Sequence, residues 1–319
     1  MKKQNVLIFG GGGFIGSHLA QYLLRNYKVI IFEKEGFSRK NIKEFEDDIE
    51  IIEGDFQNSR DYESLLNDVD YIFHLAWSTI HESSNKNCQY DVASNVFPTI
   101  ALLEMLKRKR NIKIIFVSSG GTVYGNSNEK KLKEQSMNNP ICSYGISKLM
   151  VEKYLYLYSY LYKVNYAIAR LPNVYGERQQ WYKNQGLVST FIYNMLTNKP
   201  LIVWGDGFTI RDYIYVHDAV KGIAKFLHYK GNYKIFNISS GVGYSVNDVI
   251  EKIMKIVNCK PEIIYKPKRD FDVNSNVLDN SLACTELKWT PQVTIDDGIN
   301  IVYEWIYHHI QQVSTINIV

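Results

Sequence analysis

Short unbroken apolar runs alternate with longer stretches in which apolar residues recur three and four positions apart through the first half of the chain. The runs at residues 6–9, 29–32, 49–52, 71–77 and 112–119 read as strands, the fourth together with its exit loop. Strands that are apolar throughout, rather than alternating, are those buried on both faces of a parallel sheet. Between them, Leu19, Tyr22, Leu23 and Leu24 mark one amphipathic helix, and Val96, Ile100 and Leu103 mark another that carries Asn95. Strand and helix in alternation predict an α/β fold, a doubly wound parallel sheet of Rossmann type. After residue 170 the pattern loosens. It predicts a polar loop over 178–186, a helix over 187–196, a strand over 201–204, a strand over 213–216 leading into a helix over 219–226, a closing helix over 299–310 and a frayed tail over 314–319.

Composition narrows this only a little. The chain has 319 residues, 45% hydrophobic and 22% charged, which suits one large domain or two coupled ones. A formal charge of +4 fits a cleft for an anionic ligand. Lys107-Arg108-Lys109-Arg110 is the one dense basic run and reads as the solvated end of a helix, so no nucleic-acid partner is expected. Cys88, Cys142, Cys259 and Cys284 are far apart and make no CxxC pair. Neither a metal site nor a redox motif is expected, and a reducing, cytoplasmic compartment fits. The run at 6–9 ends at once in glycines and reads as a strand rather than a signal peptide, and no run is long enough to cross a membrane.

The chemistry begins where the first run meets Gly10-Gly11-Gly12-Gly13-Phe14-Ile15-Gly16. Glycines at 10, 13 and 16 between a strand and a helix permit a tight turn, close approach of backbone to a pyrophosphate, and close packing of helix on strand. Glu33 ends the second run, where a carboxylate can accept from ribose hydroxyls and would repel a 2′-phosphate; that favours NAD over NADP, although Arg39 and Lys40 nearby pull the other way. Asp55 is placed either to meet an adenine edge or to cap a helix. His74 reads as a satisfied residue at a strand end. Ser118-Ser119-Gly120-Gly121-Thr122-Val123-Tyr124-Gly125 closes the fifth run at the carboxyl edge of the sheet, where ligands dock. Tyr144 and Lys148 are four apart in a predicted helix and so share a face. An ammonium beside a phenol favours the phenolate, which makes the pair a proton-transfer device for a substrate hydroxyl.

These segments, with Gly54-Asp55-Phe56, His74-Leu75-Ala76, Ala169-Arg170-Leu171-Pro172-Asn173-Val174-Tyr175-Gly176, residues 205–213 and Arg269-Asp270-Phe271-Asp272, resemble the extended short-chain dehydrogenase/reductases, in their NAD-dependent epimerase/dehydratase branch. The resemblance covers nearly the whole chain. It implies an NAD-binding Rossmann domain at 1–170, with 212–237 packing back on it, and a smaller α/β domain over 171–319 that binds a nucleotide sugar. It implies Tyr144 as base and acid, and Lys148 as the residue that holds the nicotinamide ribose and depresses the Tyr144 pKa. NAD would be surrounded by Gly10, Gly13, Phe14, Ile15, Gly16, Glu33, Asp55, Phe56, Leu75, Ala76, Trp77, Asn95 and Ser118. Asn173, Leu187, Trp204, Arg211, Arg269 and Asp272 would grip a nucleoside diphosphate. Two arginines suit a diphosphate, an indole can cover a uracil face, and Asp272 could take a ribose hydroxyl. Outside that context Arg211 and Asp212 would read as a surface ion pair, and Trp181, Trp289 and Trp305 as packing residues.

The branch often carries Ser or Thr where this chain has Gly120, so Thr122, with Ser119 as the alternative, is expected to steady the sugar. A 4,6-dehydratase of the branch has an Asp-Glu pair where Gly121 and Thr122 stand, and a decarboxylase usually has Glu in place of Thr122. A 4-keto reductase would use loosely held NADPH. The expectation is therefore 4-epimerisation of a UDP-sugar, with a non-catalytic NAD-binding protein as the remote alternative; the resemblance itself implies a surface-polysaccharide pathway. Asn276 falls where related epimerases place a bulky aromatic, so N-acetylated sugars could enter. The helix after Lys148 carries Tyr154, Leu155, Tyr158, Leu161 and Tyr162, a stripe that is usually core; in this branch that helix often joins a homodimer.

Overall fold

A computed structural model of the chain describes the backbone of residues 3–181 and 186–316. Residues 182–185 of the expected polar loop and 317–319 of the expected tail lie outside the described residues. The first half alternates β1 (Asn5–Phe9), α1 (Phe14–Leu23), β2 (Lys28–Glu33), β3 (Glu50–Glu53), β4 (Tyr71–His74), α2 (His81–Lys86), α3 (Cys88–Asp91), a π-helical turn (Val92–Val96), α4 (Phe97–Leu106), β5 (Lys113–Ser119), α5 (Ser143–Tyr162) and β6 (Asn165–Leu171). The second half runs through β7 (Asn173–Tyr175), α6 (Leu187–Leu196), β8 (Leu201–Trp204), β9 (Ile210–Tyr215), α7 (Val216–Ala224), β10 (Ile235–Asn237), β11 (Gly243–Ser245), α8 (Val246–Val257), β12 (Ile263–Lys266), β13 (Ser275–Asn276), α9 (Ser281–Glu286) and α10 (Ile295–Ile316).

Seven parallel strands in the order β10-β6-β5-β4-β1-β2-β3 form the central sheet. The order reverses on either side of β1 and β4, the switch point at which doubly wound sheets open a crevice at the carboxyl ends of their strands. Val6, Leu7, Ile8 and Phe9 are all fully buried. Their alternate side chains belong to two core clusters, one on each face of the sheet, as an unbroken apolar strand requires.

The second half is smaller and antiparallel in part. β11, β9 and β13 are neighbours in a four-stranded sheet in which β7 also pairs with β9, and β8 pairs with β12. The returning segment starts at α7, which packs on α1, and continues into β10 on the edge of the large sheet; β9, with residues 212–215, belongs to the small sheet. The closing helix is longer than expected, running to Ile316. Of the stripe on α5, Leu155 and Tyr158 are core, whereas Leu161 is exposed. Among the described residues no helix is long and apolar enough to cross a membrane.

Candidate active site

The turn after β1 puts Gly10 at φ +85°, a left-handed backbone that suits glycine. A Cβ there would lie 2.8 Å from the Ala76 amide nitrogen, so β1 and the loop after β4 touch backbone to backbone. A Cβ at Gly16 would lie 2.1 Å from the Gly10 carbonyl oxygen, which is why α1 can seat directly on the turn. Gly13, at the start of α1, would meet only the Gly10 carbonyl. No side chain caps α1, and its first turn holds no acid, so its leading N–H groups are left for an anion. Phe14 and Ile15 open the helix and pack into the core.

Glu33 reaches back from the end of β2, and its Oε1 accepts from the Gly12 N–H at 2.9 Å; burial holds its pKa above the ordinary value. Arg39, the residue that complicated the choice of coenzyme, is engaged by Glu46 and by Glu53 at 2.8 Å. Asp55 does not cap a helix: its carboxylate accepts from the Gln57 N–H at 2.9 Å in a tight turn. Phe56 stacks on Tyr62. His74 is buried and bonded to the Thr99 hydroxyl at 2.8 Å, and burial pushes its pKa down to about 3.

α5 opens without a cap of its own. Asn85 Oδ1 accepts from the Ser143 N–H at 2.9 Å and Ser84 Oγ from the Tyr144 N–H at 3.0 Å, so α2 supplies the cap from outside. The Tyr144 ring lies between Trp77 and His81, at 5.9 and 5.0 Å between centroids. Lys148 is buried; its Nζ donates to the Val117 carbonyl at 2.9 Å and sits 3.7 Å from the centre of the Trp77 ring.

Here the geometry departs from expectation. Burial, with Cys142 and Asp91 adding to it, raises the Tyr144 pKa. Burial also lowers that of Lys148, to about 7, against the opposing pull of Asp91 and Glu152. The Lys148 ammonium is turned onto Val117 and Trp77, and no lowering of the Tyr144 pKa comes from it.

Three further expectations change. The Ser118 hydroxyl is committed to Glu152 at 2.5 Å, behind the strand end. Asn95 is buried, with Oδ1 accepting from the Ser78 N–H at 2.8 Å and Nδ2 donating to Asp91, so it braces the loop after β4. Thr122 is nearly enclosed against Gly145, and its hydroxyl turns to the Ser119 carbonyl at 3.4 Å. Ser119 is partly exposed, and its hydroxyl has no partner among the described residues, so Ser119 rather than Thr122 presents a free hydroxyl. A larger residue at Gly120 would strike Leu278, at 2.4 Å from the added Cβ.

In the second half, Trp204, Arg211, Arg269 and Asp272 lie near one another. Arg269 is held by Asp272 through two bonds of 2.7 and 3.0 Å, with its guanidinium 5.3 Å from the Trp204 ring and 5.1 Å from the Phe271 ring. Arg211 donates to its neighbour's carbonyl and lies in the field of Asp272 and Arg269, and burial lowers its pKa. Arg211 does not pair with Asp212. That carboxylate is buried, accepts from Ser240, Gly241 and Leu278, and is pushed up to about 6 by burial. Asn173 donates to the Asp212 carbonyl at 3.2 Å, and Leu187 opens α6. His81 joins the two halves: it touches Tyr144 and feels Asp272, Arg211 and Arg269, and desolvation of its ring in that cleft lowers its pKa to about 4, although the residue as a whole is exposed.

The profile of the NAD dependent epimerase/dehydratase family matches residues 6–239. The chain belongs to that family. It is 37% identical over 304 residues to a provisionally named UDP-glucose 4-epimerase of Methanocaldococcus jannaschii, covering 94% of this chain and 98% of that one. It is 31% identical over 305 residues to the dTDP-4-dehydro-6-deoxyglucose reductase of Escherichia coli, covering 94% and 96%. Among solved structures, the UDP-glucose 4-epimerase of Thermotoga maritima with UDP-glucose superposes with a TM-score of 0.91 at 31% identity, over 96% of this chain and 100% of that one.

The family's cofactor, NAD, fits the residues present. The open face of Gly13 and the uncapped start of α1 suit a pyrophosphate, and Glu33 suits a ribose. The buried Trp77 Nε1 has no partner among the described residues and is a donor in waiting. His18, Glu177 and His217 also bring ligand-type atoms within 4.8 Å of one another, although no metal was expected; both Glu177 carboxylate oxygens there accept from the Tyr215 hydroxyl at 2.9 Å. Sequence reasoning missed His81 and Asp91, neither of which sits in a spacing that marks chemistry. It also passed over the buried pair of Arg170 and Glu152, 2.5 Å apart, which anchors α5 to β6.

Proposed function

We propose that this protein is an NAD-dependent 4-epimerase of a UDP-sugar, acting on UDP-Glc/UDP-Gal, with the UDP-GlcNAc/UDP-GalNAc pair as a second substrate. One observation carries the reading. Tyr144 is followed by Gly145, which packs against Thr122, and the end of β5 there carries glycine at 120 and 121 and threonine at 122, without the carboxylates that dehydration or decarboxylation would use. Tyr144 takes the proton of the sugar 4-hydroxyl and returns it after the sugar has passed through a 4-keto form. Burial disfavours the phenolate, and the positive charge of Lys148, 5.6 Å from the Tyr144 ring, is the group in the site that can offset that cost. Bound NAD supplies a reversible hydride acceptor for C4. The glycine turn, Glu33, Trp77 and Lys148 hold it; Ser119 orients the sugar; Arg211 and Arg269 clamp the diphosphate, with Trp204 beside the base.

Asn276 supports the wider substrate range. It is buried, its Nδ2 donates to the Gly120 carbonyl at 3.0 Å, and its Oδ1 is left without a partner among the described residues. A cytoplasmic location fits four free thiols, and a role in surface-polysaccharide synthesis fits the substrate class. A homodimer through α5 fits the exposed Tyr156, Leu157, Tyr160 and Leu161 on that helix.

The experiment is incubation with UDP-Glc, UDP-GlcNAc or UDP-GlcA without added cofactor, followed by proton NMR of the sugar. Conversion to the galacto epimer is the expected result. A 4-keto-6-deoxy sugar, or a pentose with carbon dioxide, would replace the reading with dehydration or decarboxylation. The similarity to the E. coli reductase favours one alternative, reduction of a 4-keto sugar, which would show as net consumption of reduced coenzyme.

A further inference from the structure

Asp91 is fully buried at the end of α3, directly before the π-helical turn. Its Oδ2 accepts from the Ser143 hydroxyl at 2.8 Å and from the Ser147 hydroxyl at 2.7 Å. Its Oδ1 accepts from the Thr79 hydroxyl and from Asn95 Nδ2 at 3.1 Å. All four partners are donors, so the carboxyl group is used as an acceptor only, the role of its ionised form. Ser143 immediately precedes Tyr144, and Ser147 immediately precedes Lys148. One oxygen therefore ties together the two helical positions that adjoin the proposed proton carrier and its lysine. A buried carboxylate is costly to keep even when fully bonded. Four neutral donors compensate it here, and no cation is in contact with it among the described residues.

We infer that Asp91 is a positioning residue that sets the rotation of the first turns of α5 and serves as the buried counter-charge that keeps Lys148 an ammonium. The inference rests on the reading of Tyr144 and Lys148 as the proton-transfer pair. Its electrostatic part follows from the groups that face the pair. Lys148 is surrounded by Asp91, by Glu152 on its own helix and by His74 from β4, with Trp77 and Phe116 as apolar neighbours. Tyr144 faces His81 from α2, Cys142 and Asp91. Glu152 is already neutralised by Arg170, and His74 is held neutral by burial. That leaves Asp91 as the carboxylate that acts on both members of the pair and, among the described residues, has no cation paired with it. Because burial leaves Lys148 with a pKa of about 7, a modest loss of negative field would discharge it at neutral pH.

The test uses NAD-loaded protein and Asp91→Asn, which keeps the shape and removes the charge. The pH dependence of kcat/KM is expected to move as a whole to lower pH by about one pH unit, because both Tyr144 and Lys148 lose their proton more readily without the carboxylate. An activity that falls with the profile unmoved would assign Asp91 a merely structural role and overturn the inference. A direct readout needs no substrate: the NMR signal of the labelled Lys148 side chain, assigned with Lys148→Met, should titrate at lower pH in Asp91→Asn. An unchanged midpoint overturns the inference even if the protein acts on no UDP-sugar, so failure of the epimerase reading is distinguishable. Should Asp91→Asn fail to fold, Ser147→Ala decides. A fall in kcat of about tenfold with KM unchanged is expected from a misplaced pair, and an unchanged kcat overturns it.

Discussion

The ammonium nitrogen of Lys148 lies 3.7 Å from the centre of the Trp77 ring and bonds the Val117 carbonyl, so it faces the indole more closely than it faces Tyr144. Burial outweighs the attraction of Asp91 and Glu152 and holds its pKa near 7, below the ordinary 10.5. Between those values the unfolded chain binds the proton more tightly than the folded one. Stability from this group therefore rises as pH climbs from 7 towards 10.5, and the penalty is full below 7. Lys148→Met is expected to melt above the wild type at pH 6, with the gap narrower at pH 9, while turnover falls roughly a hundredfold or more. Calorimetry of the cofactor-free proteins at the two pH values checks this, and a variant that melts lower at pH 6 would contradict it.

The free hydroxyl at the strand end belongs to Ser119. Ser119→Ala should lower kcat/KM by roughly tenfold to a hundredfold, the worth of one hydrogen bond to a group that gains charge. Thr122→Val, which replaces a hydroxyl already turned to a carbonyl, should leave kcat/KM within about threefold. Equal losses in the two variants would return the role to Thr122.

Arg170 and Glu152 are each about 99% and 98% buried at the side chain and are bonded at 2.5 Å, with Ser118 also donating to the carboxylate. Glu152→Ala strands the guanidinium in the core, and ~3–5 kcal/mol of folding stability should be lost. Urea denaturation followed by circular dichroism measures it; a loss below about 1 kcal/mol would mean that water reaches Arg170.

Among the described residues Arg211 makes a single hydrogen bond, to the carbonyl of its own neighbour, and so remains available to a ligand. Arg211→Gln is expected to raise KM for the UDP-sugar, and the inhibition constant of free UDP, by about tenfold or more, with a smaller change in kcat. If UDP bound equally well to both proteins, the clamp would have to lie elsewhere.

Tyr160 is 66% and Leu161 52% exposed on α5, beside an exposed Tyr156 whose ring stacks on Tyr160. Charged residues at those two positions, Tyr160→Lys with Leu161→Glu, should convert a dimer to a monomer by light scattering while secondary structure is retained. A wild-type protein that is already monomeric would remove the dimer from the reading.

Much of this molecule is decided by short-range pattern. Unbroken apolar runs specify buried parallel strands. The glycines at 10, 13 and 16 specify a turn on which α1 can sit, and the four-residue interval puts Tyr144 and Lys148 on one face. Each is a local consequence of backbone geometry and helical or strand period, so each is legible without a neighbour. Their partners are not. Asp91 meets Ser143 and Ser147 across 52 and 56 residues of chain. Trp77 meets Lys148 only because β4 and β5 are neighbours in the sheet, and Thr122 loses its hydroxyl to a turn that no periodicity announces. Burial and hydrogen-bond partnership are set by contacts between distant segments. For that reason the order of charges around Tyr144, and the hydroxyl left free beside it, were decided only when the chain closed on itself.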